Sequence, residues 1–230
     1  MEAKVDWYLP KRTSYSRRSF NNVDWKFSHQ ISITSQTAAG KTTTVDMLKK
    51  ELPQYEFLSV GQLMRGLLID VSKKHGLKTI EEFAAFNLKH PEYGYDHWGD
   101  SIVHEITIHK NFLVGEGRLV HVFMPHAFHV LLECGLTMRM RRRFEDKVKK
   151  DPDIKEGDVM MSIFNRDEDD TERYKKLYRG CIWEPSDYDM VVSTEFFTPS
   201  EVVSRILFEH SRWRNTVVAK RKTFVRADCI

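Results

Sequence analysis

The sequence predicts an α/β fold in which helices cover both faces of a parallel β-sheet. Short apolar segments rich in β-branched residues alternate with longer amphipathic segments, which is the pattern of strand–helix–strand units. A turn containing Gly-Lys-Thr joins the first strand directly to a helix. The chain has 230 residues, which is enough for one substantial core and too few for two comfortable enzyme domains.

Five strands are predicted, each short and apolar as expected of strands buried on both faces. They fall at 30–34, 57–60, 111–114, 128–132 and 190–193. Apolar residues at helical spacing predict the intervening helices. These lie at 45–52, 63–75, 79–110 with a break at 91–94, 139–150, 158–178, and from 199 onward. We expect a main domain at 29–210, an N-terminal extension at 1–28 and a basic C-terminal tail at 211–230.

The bulk properties are those of a globular protein that works without a membrane. The net charge is +3, and the positive excess lies in the two end segments. These ends could contact nucleic acid or an acidic partner, although a solvated arm fits them at least as well. No apolar run approaches the roughly 18 to 20 residues that span a bilayer. Three widely spaced cysteines indicate a reducing compartment. We expect a cytoplasmic monomer, with an organelle as the alternative location.

The segment SQTAAGKT at 35–42 carries the phosphate-binding signal G-x-x-x-x-G-K-[ST] without its first glycine. Amides near Gly40 and at the following helix N-terminus favour an anion. Lys41 is predicted to reach the β- and γ-phosphates, and the Thr42 hydroxyl to bind Mg²⁺. The sequence therefore predicts that ATP and Mg²⁺ bind here. The expected contacts are Ser35, Gln36, Thr37, Ala38, Ala39, Gly40, Lys41, Thr42 and Thr43.

Ser35 stands where the pattern has its first glycine. A serine is acceptable there if its φ angle is negative, and it costs free energy if φ must be positive. This substitution motivates a rival hypothesis, in which the chain has lost or reduced catalysis and acts as a subunit of a larger assembly through its basic ends.

Arginines behind the loop indicate a second phosphate. Phosphoryl transfer requires that the charge on the moving group be neutralised, and bidentate arginine binds phosphate well. Arg65 follows the second strand, and Arg118 follows the third, at the edge of a parallel sheet where ligands bind. Arg166 and Arg173 bracket an acidic segment on a predicted helix. Their joint order favours an acceptor that is itself phosphorylated.

Four segments carry a resemblance to a known family: SVGQLMR (59–65), VGEGRL (114–119), NRDEDDTERYKKLY (165–178) and YDMVVST (188–194). They resemble the corresponding segments of cytidylate kinases, in the short form that lacks a large insert. The resemblance covers roughly residues 31–207 in consistent order. It implies a three-layer P-loop fold with a helical lid at about 139–178 and a monophosphate-binding region at about 59–110.

The resemblance also implies the reaction and the role of each site residue. ATP–Mg²⁺ would phosphorylate a pyrimidine nucleoside monophosphate, with CMP or dCMP as first choice. Arg65, Arg118 and Gly61 would bind the acceptor, and Glu116 would lie near the acceptor and the Mg²⁺ water shell. The lid would supply Arg166 and Arg173, with Asp170 orienting them. The expected catalytic residues are Lys41, Arg118, Arg166, Asp170 and Arg173.

Some features depart from the family or invite other interpretations. Gln62 replaces a frequent aspartate, and the segment 119–126 does not follow the family, so base preference stays open. A kinase of another small metabolite is the third hypothesis. His121, His126 and His129 lack the carboxylate or cysteine spacing of a zinc site. The arginines at 139–143 are interpreted as a solvated charged helix.

Overall fold

The centre of the fold is a parallel sheet that contains all five predicted strands. The computed structural model describes residues 27–78, 80–90, 95–178, 183–216 and 225–226. Within them the strands are β1 (Ile31–Ser35), β2 (Glu56–Ser59), β3 (Leu113–Glu116), β4 (Phe128–Glu133), β5 (Met190–Ser193) and β6 (Val225–Arg226). The order across the sheet is β2-β3-β1-β4-β5-β6, and each neighbouring pair is parallel. The two-residue edge strand β6 was not predicted.

The described helices follow the predicted amphipathic segments, with one short addition. They are α1 (Lys41–Glu51), α2 (Val60–His75), α3 (Ile80–Lys89), α4 (Tyr95–His109), α5 (Val120–Phe123), α6 (Leu136–Val148), α7 (Glu156–Tyr178) and α8 (Pro199–Thr216). The four-residue helix α5 was not predicted. The predicted break at 91–94 lies outside the described residues. Across the described part of the chain, no helix has the length and apolarity that a membrane crossing requires.

Apolar side chains are buried on both faces of the sheet, as the continuous apolar strands predict. Ile31, Ile33 and Leu48 belong to a core that packs beneath α1 and α8. Leu113 and Met124 belong to a second cluster on the opposite face, where α5 packs. The helices therefore form two outer layers, and the three-layer α/β fold is confirmed.

The last helix extends beyond the predicted start of the C-terminal tail. α8 runs to Thr216, whereas the tail was predicted to begin at residue 211. Trp213 on its last turns is 5% exposed and packs against Phe128 of β4. The boundary at 210 thus falls inside a helix that the sheet holds by its aromatic side chains, and the tail prediction is corrected there. Residues 217–224 lie outside the described part of the chain.

Candidate active site

The phosphate-binding loop lies between the end of β1 and the start of α1, as predicted. Ser35 is the last residue of β1 and pairs with Leu132 in parallel register. Its φ angle is not positive, so serine costs no backbone strain there. The left-handed conformations fall later in the loop, at Ala38 (φ 62°) and Gly40 (φ 87°). The loop therefore turns without a glycine at its first position.

Strand register places the predicted acidic residue beside the loop. Glu116 ends β3 and pairs with Ile33 of β1 on one side and with Ser59 of β2 on the other. Its carboxylate forms an ion pair with the Lys41 ammonium and accepts a hydrogen bond from the Ser59 hydroxyl. Ser59 Oγ in turn accepts a bond of 3.3 Å from the Gln62 amide in the first turn of α2. The loop and the N-terminus of α2 are thus joined through Glu116.

Arg118 is turned toward the loop and the lid rather than toward solvent. Its Nη2 donates to Thr37 Oγ1 at 2.8 Å, and Nη1 pairs with the Asp170 carboxylate of α7. Only 16% of its side chain is exposed. Burial is the largest cause that lowers its pKa to about 10, and the positive charge of Arg166 also contributes. A guanidinium with so low a pKa favours an added anion.

Four of the predicted cations share one electrostatic environment. Burial is the largest of the causes that lower the pKa of Lys41 to about 8. The positive charges of Arg118, Arg65 and Arg166 are the others. The Glu116 carboxylate in contact with Lys41 acts in the opposite direction, because a neighbouring negative charge favours the ammonium form. Phosphate groups bound beside Lys41 would be stabilised by these positive charges as well as by the loop amides.

Arg173, the second predicted arginine of α7, lies at the edge of this group. Its Nη2 is 3.4 Å from Asp170 Oδ1 and donates to the Tyr174 hydroxyl at 2.6 Å. Its guanidinium also stacks over the Tyr174 ring, 4.6 Å from the centroid. Asp170 therefore contacts Arg118 and Arg173, whereas the family resemblance predicts it between Arg166 and Arg173.

Two residues of the site were not predicted from the sequence: Arg139 on α6 and Asp167 on α7. Arg139, interpreted as part of a solvated charged helix, is only 5% exposed. Its Nη1 donates to Asp167 Oδ2 at 2.5 Å and to the Thr37 carbonyl at 3.2 Å, while Nε donates to the Cys134 carbonyl. Its place in the sequence could have indicated this role, since Arg139 lies in the first turn of the helix that follows β4, at the edge of the sheet where the loop lies. Arg141, by contrast, is 72% exposed as predicted.

Arg142 is the second arginine of α6 that contacts the site. Its guanidinium donates to Thr194 Oγ1 at 3.0 Å and to the Thr194 carbonyl at 2.6 Å. The Thr194 hydroxyl donates to the Ala39 carbonyl of the loop at 2.9 Å. Thr194 directly follows β5, so the same rule of strand ends would have indicated it. α6 is thus fastened to the loop and to β5.

Thr42 and Glu116 have the donor chemistry that Mg²⁺ prefers. Thr42 lies in the first turn of α1 with an exposed side chain, and Glu116 presents a carboxylate beside the loop lysine. Hydroxyl and carboxylate oxygens are hard ligands, and Mg²⁺ keeps several waters in addition. These residues fit a magnesium ion held jointly by protein, water and phosphate.

The buried histidines form a polar network inside the fold. His129 Nδ1 lies 2.7 Å from Ser32 Oγ, and its backbone amide donates to Asp189 at 2.8 Å. The His121 ring contacts Tyr188, with centroids 4.8 Å apart. Within the described ranges, no group of His, Cys, Asp and Glu side chains is placed to hold a metal ion.

Fold and site together define a class of protein. The parallel sheet, the loop at the end of its central strand and the charged helical arm that reaches back to that loop are the features of a P-loop phosphotransferase. Comparison with known proteins agrees. A cytidylate kinase of Thermoplasma volcanium is 30% identical over 183 residues, covering 77% of this chain and 89% of that protein. The chain belongs to the cytidylate kinase family. No protein-family model matches it.

The chain is also similar in sequence to part of a larger enzyme and similar in fold to one solved structure. An S-adenosylmethionine-dependent nucleotide dehydratase of Lacinutrix mariniflava is 28% identical over 189 residues. The match covers 82% of this chain and 37% of that protein. Among solved structures, an uncharacterized protein from Eubacterium ventriosum has a TM-score of 0.56 at 10% identity, covering 80% of this chain and 99% of that one. This likeness concerns the fold alone.

Proposed function

We propose that the protein transfers the γ-phosphoryl group of Mg²⁺–ATP to a pyrimidine nucleoside monophosphate, with CMP or dCMP as the preferred acceptor. The observation that carries this proposal is the group of cations around Lys41. Arg118, Arg65 and Arg166 all lower the lysine pKa, so they lie close enough to act on the same phosphates. An acceptor that is itself phosphorylated would bring further negative charge, which this second set of charges would neutralise.

Each cation has a role in the proposed reaction. Lys41 binds the β- and γ-phosphates of ATP, while Arg118 and Arg65 bind the acceptor phosphate. Arg166 and Arg173 neutralise the charge that spreads over the transferring group. The acceptor phosphate oxygen is already a nucleophile, so positioning and electrostatic stabilisation supply most of the acceleration. Thr42 and Glu116 would hold the magnesium ion, which would supply positive charge against the phosphates.

The relatives support a nucleotide as acceptor. The Thermoplasma volcanium protein is named a cytidylate kinase, and the Lacinutrix mariniflava protein is named a nucleotide dehydratase. The hypothesis of another small metabolite would be supported if Arg65 and Arg118 pointed away from the cleft. Arg118 instead contacts Thr37 and Asp170, which favours a phosphorylated acceptor. Preference for the cytosine base rests on the family resemblance.

The rival hypothesis of a catalytically reduced subunit loses its main motive. It rested on Ser35 in place of glycine, and Ser35 is accommodated in an extended strand without a positive φ angle. The hypothesis also rested on the two basic ends at 1–28 and 211–230, of which residues 1–26, 217–224 and 227–230 lie outside the described part of the chain.

The proposal is tested by comparing Arg118→Ala with Arg141→Ala. Both changes remove one arginine, but Arg118 is 16% exposed at the site and Arg141 is 72% exposed on α6. With CMP, dCMP, UMP, AMP, GMP and dTMP as acceptors, we expect the wild type to prefer CMP or dCMP. Arg118→Ala should lower kcat/KM for the acceptor by about 100-fold or more. Equal activity of the two variants would contradict the role of Arg118.

A further inference from the structure

The Thr37 hydroxyl stands between the acceptor arginine and the lid. Arg118 Nη2 donates to Thr37 Oγ1 at 2.8 Å, and Thr37 Oγ1 donates to Asp167 Oδ1 of α7, also at 2.8 Å. The Thr37 amide donates to the same carboxylate oxygen at 3.3 Å. A guanidinium can only donate and a carboxylate can only accept, so a hydroxyl is the group that bonds to both at once.

The far end of this chain of contacts is anchored in α6. Asp167 Oδ2 accepts from Arg139 Nη1 at 2.5 Å, and Arg139 also donates to the carbonyls of Thr37 and Cys134. The side chains of Asp167 and Arg139 are 14% and 6% exposed. Water therefore screens these bonds little, and charge-assisted bonds of this kind are among the strongest in proteins.

Asp167 directly follows Arg166 on α7 and lies one helical turn before Asp170. Arg118 Nη1 pairs with Asp170 and lies 3.9 Å from Asp167 Oδ1. Without the hydroxyl, Arg118 would lose its bond to the loop while keeping its attraction to α7. Its guanidinium would then be held by α7 alone and would move with the lid rather than stay bound to the phosphate-binding loop.

We propose that Thr37 and Asp167 are positioning residues that couple the lid helix to Arg118. In this role the Thr37 hydroxyl holds Arg118 against the loop, and Asp167 fixes α7 so that Arg166 and Asp170 face the phosphates. The inference rests on the proposed function, because it assigns Arg118 to the acceptor. It also predicts that the loop and the lid order together when ATP binds.

The test uses Thr37→Val, which keeps the shape of the side chain and removes both hydrogen bonds. Thr37→Ser keeps the hydroxyl, and Thr171→Val is the kinetic control, since the Thr171 hydroxyl bonds only within α7 to the Asp167 carbonyl. Thr37→Val should raise the acceptor KM about tenfold and the ATP KM less than about threefold. Thr37→Ser keeps the hydroxyl and should raise the acceptor KM less than Thr37→Val does, and Thr171→Val should stay within about twofold of the wild type. Water should also compete better with the acceptor for the γ-phosphoryl group of ATP, so more ADP should form for each acceptor molecule that is phosphorylated.

A second measurement does not depend on turnover. Hydrogen exchange of the α7 amides in the nucleotide-free protein should be faster in Thr37→Val than in Thr37→Ser, because α7 loses the side-chain bond from the Thr37 hydroxyl to Asp167. Equal exchange in the two variants, or a lower Tm with an unchanged ratio of the two KM values, would overturn the coupling. If the wild type phosphorylates no acceptor, the proposed function fails, and the exchange comparison alone decides the coupling.

Discussion

The lowered pKa of Lys41 should make ATP binding depend on pH between pH 7 and 9, where a lysine with an unperturbed pKa stays charged. Burial and three neighbouring arginines bring this pKa to about 8, against 10.5 for an unperturbed lysine. Only the ammonium form can bind the β- and γ-phosphates as a cation. Raising the pH through 8 therefore removes the binding form of the nucleotide-free protein.

The size of the effect follows from the fraction of Lys41 that is protonated. With a pKa of about 8, that fraction is about 0.9 at pH 7 and about 0.1 at pH 9. The Kd of Mg²⁺–ATP should thus rise about tenfold between these pH values. The triphosphate contributes little to the change, because a phosphate with a second pKa near 6 is ionised throughout this range. Bound phosphate raises the lysine pKa, so binding at pH 8 should take up about half a proton.

Titration calorimetry measures both quantities. Binding enthalpies at pH 8 in two buffers with different ionisation enthalpies give the proton uptake, and a series from pH 7 to 9 gives the Kd. Lys41→Met is the control, and its weak binding should not vary with pH over this range. A wild-type Kd that stays constant from pH 7 to 9, with no proton uptake, would refute the argument from burial and neighbouring charge.

Two further predictions concern stability around the site. Arg139→Ala leaves the buried Asp167 without its ion-pair partner and should lower the free energy of unfolding by about 3 kcal/mol, whereas the exposed Arg141→Ala should change it by less than about 0.5 kcal/mol. Urea unfolding measures both, and equal values would contradict the buried pair. Gly117→Ala places a Cβ 2.9 Å from Val60 and should cost about 1 to 3 kcal/mol while raising the acceptor KM through the adjacent Arg118. Gly66→Ala meets nothing within 4 Å on α2 and should stabilise by about 0.5 to 1 kcal/mol. A Gly117→Ala variant as stable as Gly66→Ala would contradict this packing.

The strands were predictable because each is a continuous apolar run with glycine, proline or polar residues at its ends. Strand β6 was not, since a two-residue strand carries no period and depends on its neighbour β5 for pairing. Helix α5 has four residues, too few for a helical pattern to emerge. The tail was predicted to begin before the end of α8 because the arginines of its last turns are typical of a solvated segment. Trp213 is buried there by its contact with β4, which the sequence pattern does not show.

The site was predictable to the extent that its residues follow strand ends directly. Glu116 is the last residue of β3, Arg118 lies two residues later, and Lys41 begins the helix after β1, so all three lie together at the loop. The ion pair of Arg139 and Asp167 could not be predicted, because a charged side chain on a charged helix has the same local sequence pattern whether it is solvated or paired. Their pairing depends on how α6 and α7 pack against each other, which is a property of tertiary structure.

The central claim is transfer of phosphate from ATP to a nucleoside monophosphate, and the stoichiometry of products tests it most directly. Full-length protein is incubated with Mg²⁺–ATP and CMP, and ADP and CDP are quantified together by chromatography. The account predicts CDP and ADP in a ratio of about one to one, with ADP formed far more slowly when CMP is omitted. ADP that accumulates without CDP, at a rate that neither CMP nor another monophosphate changes, would contradict it.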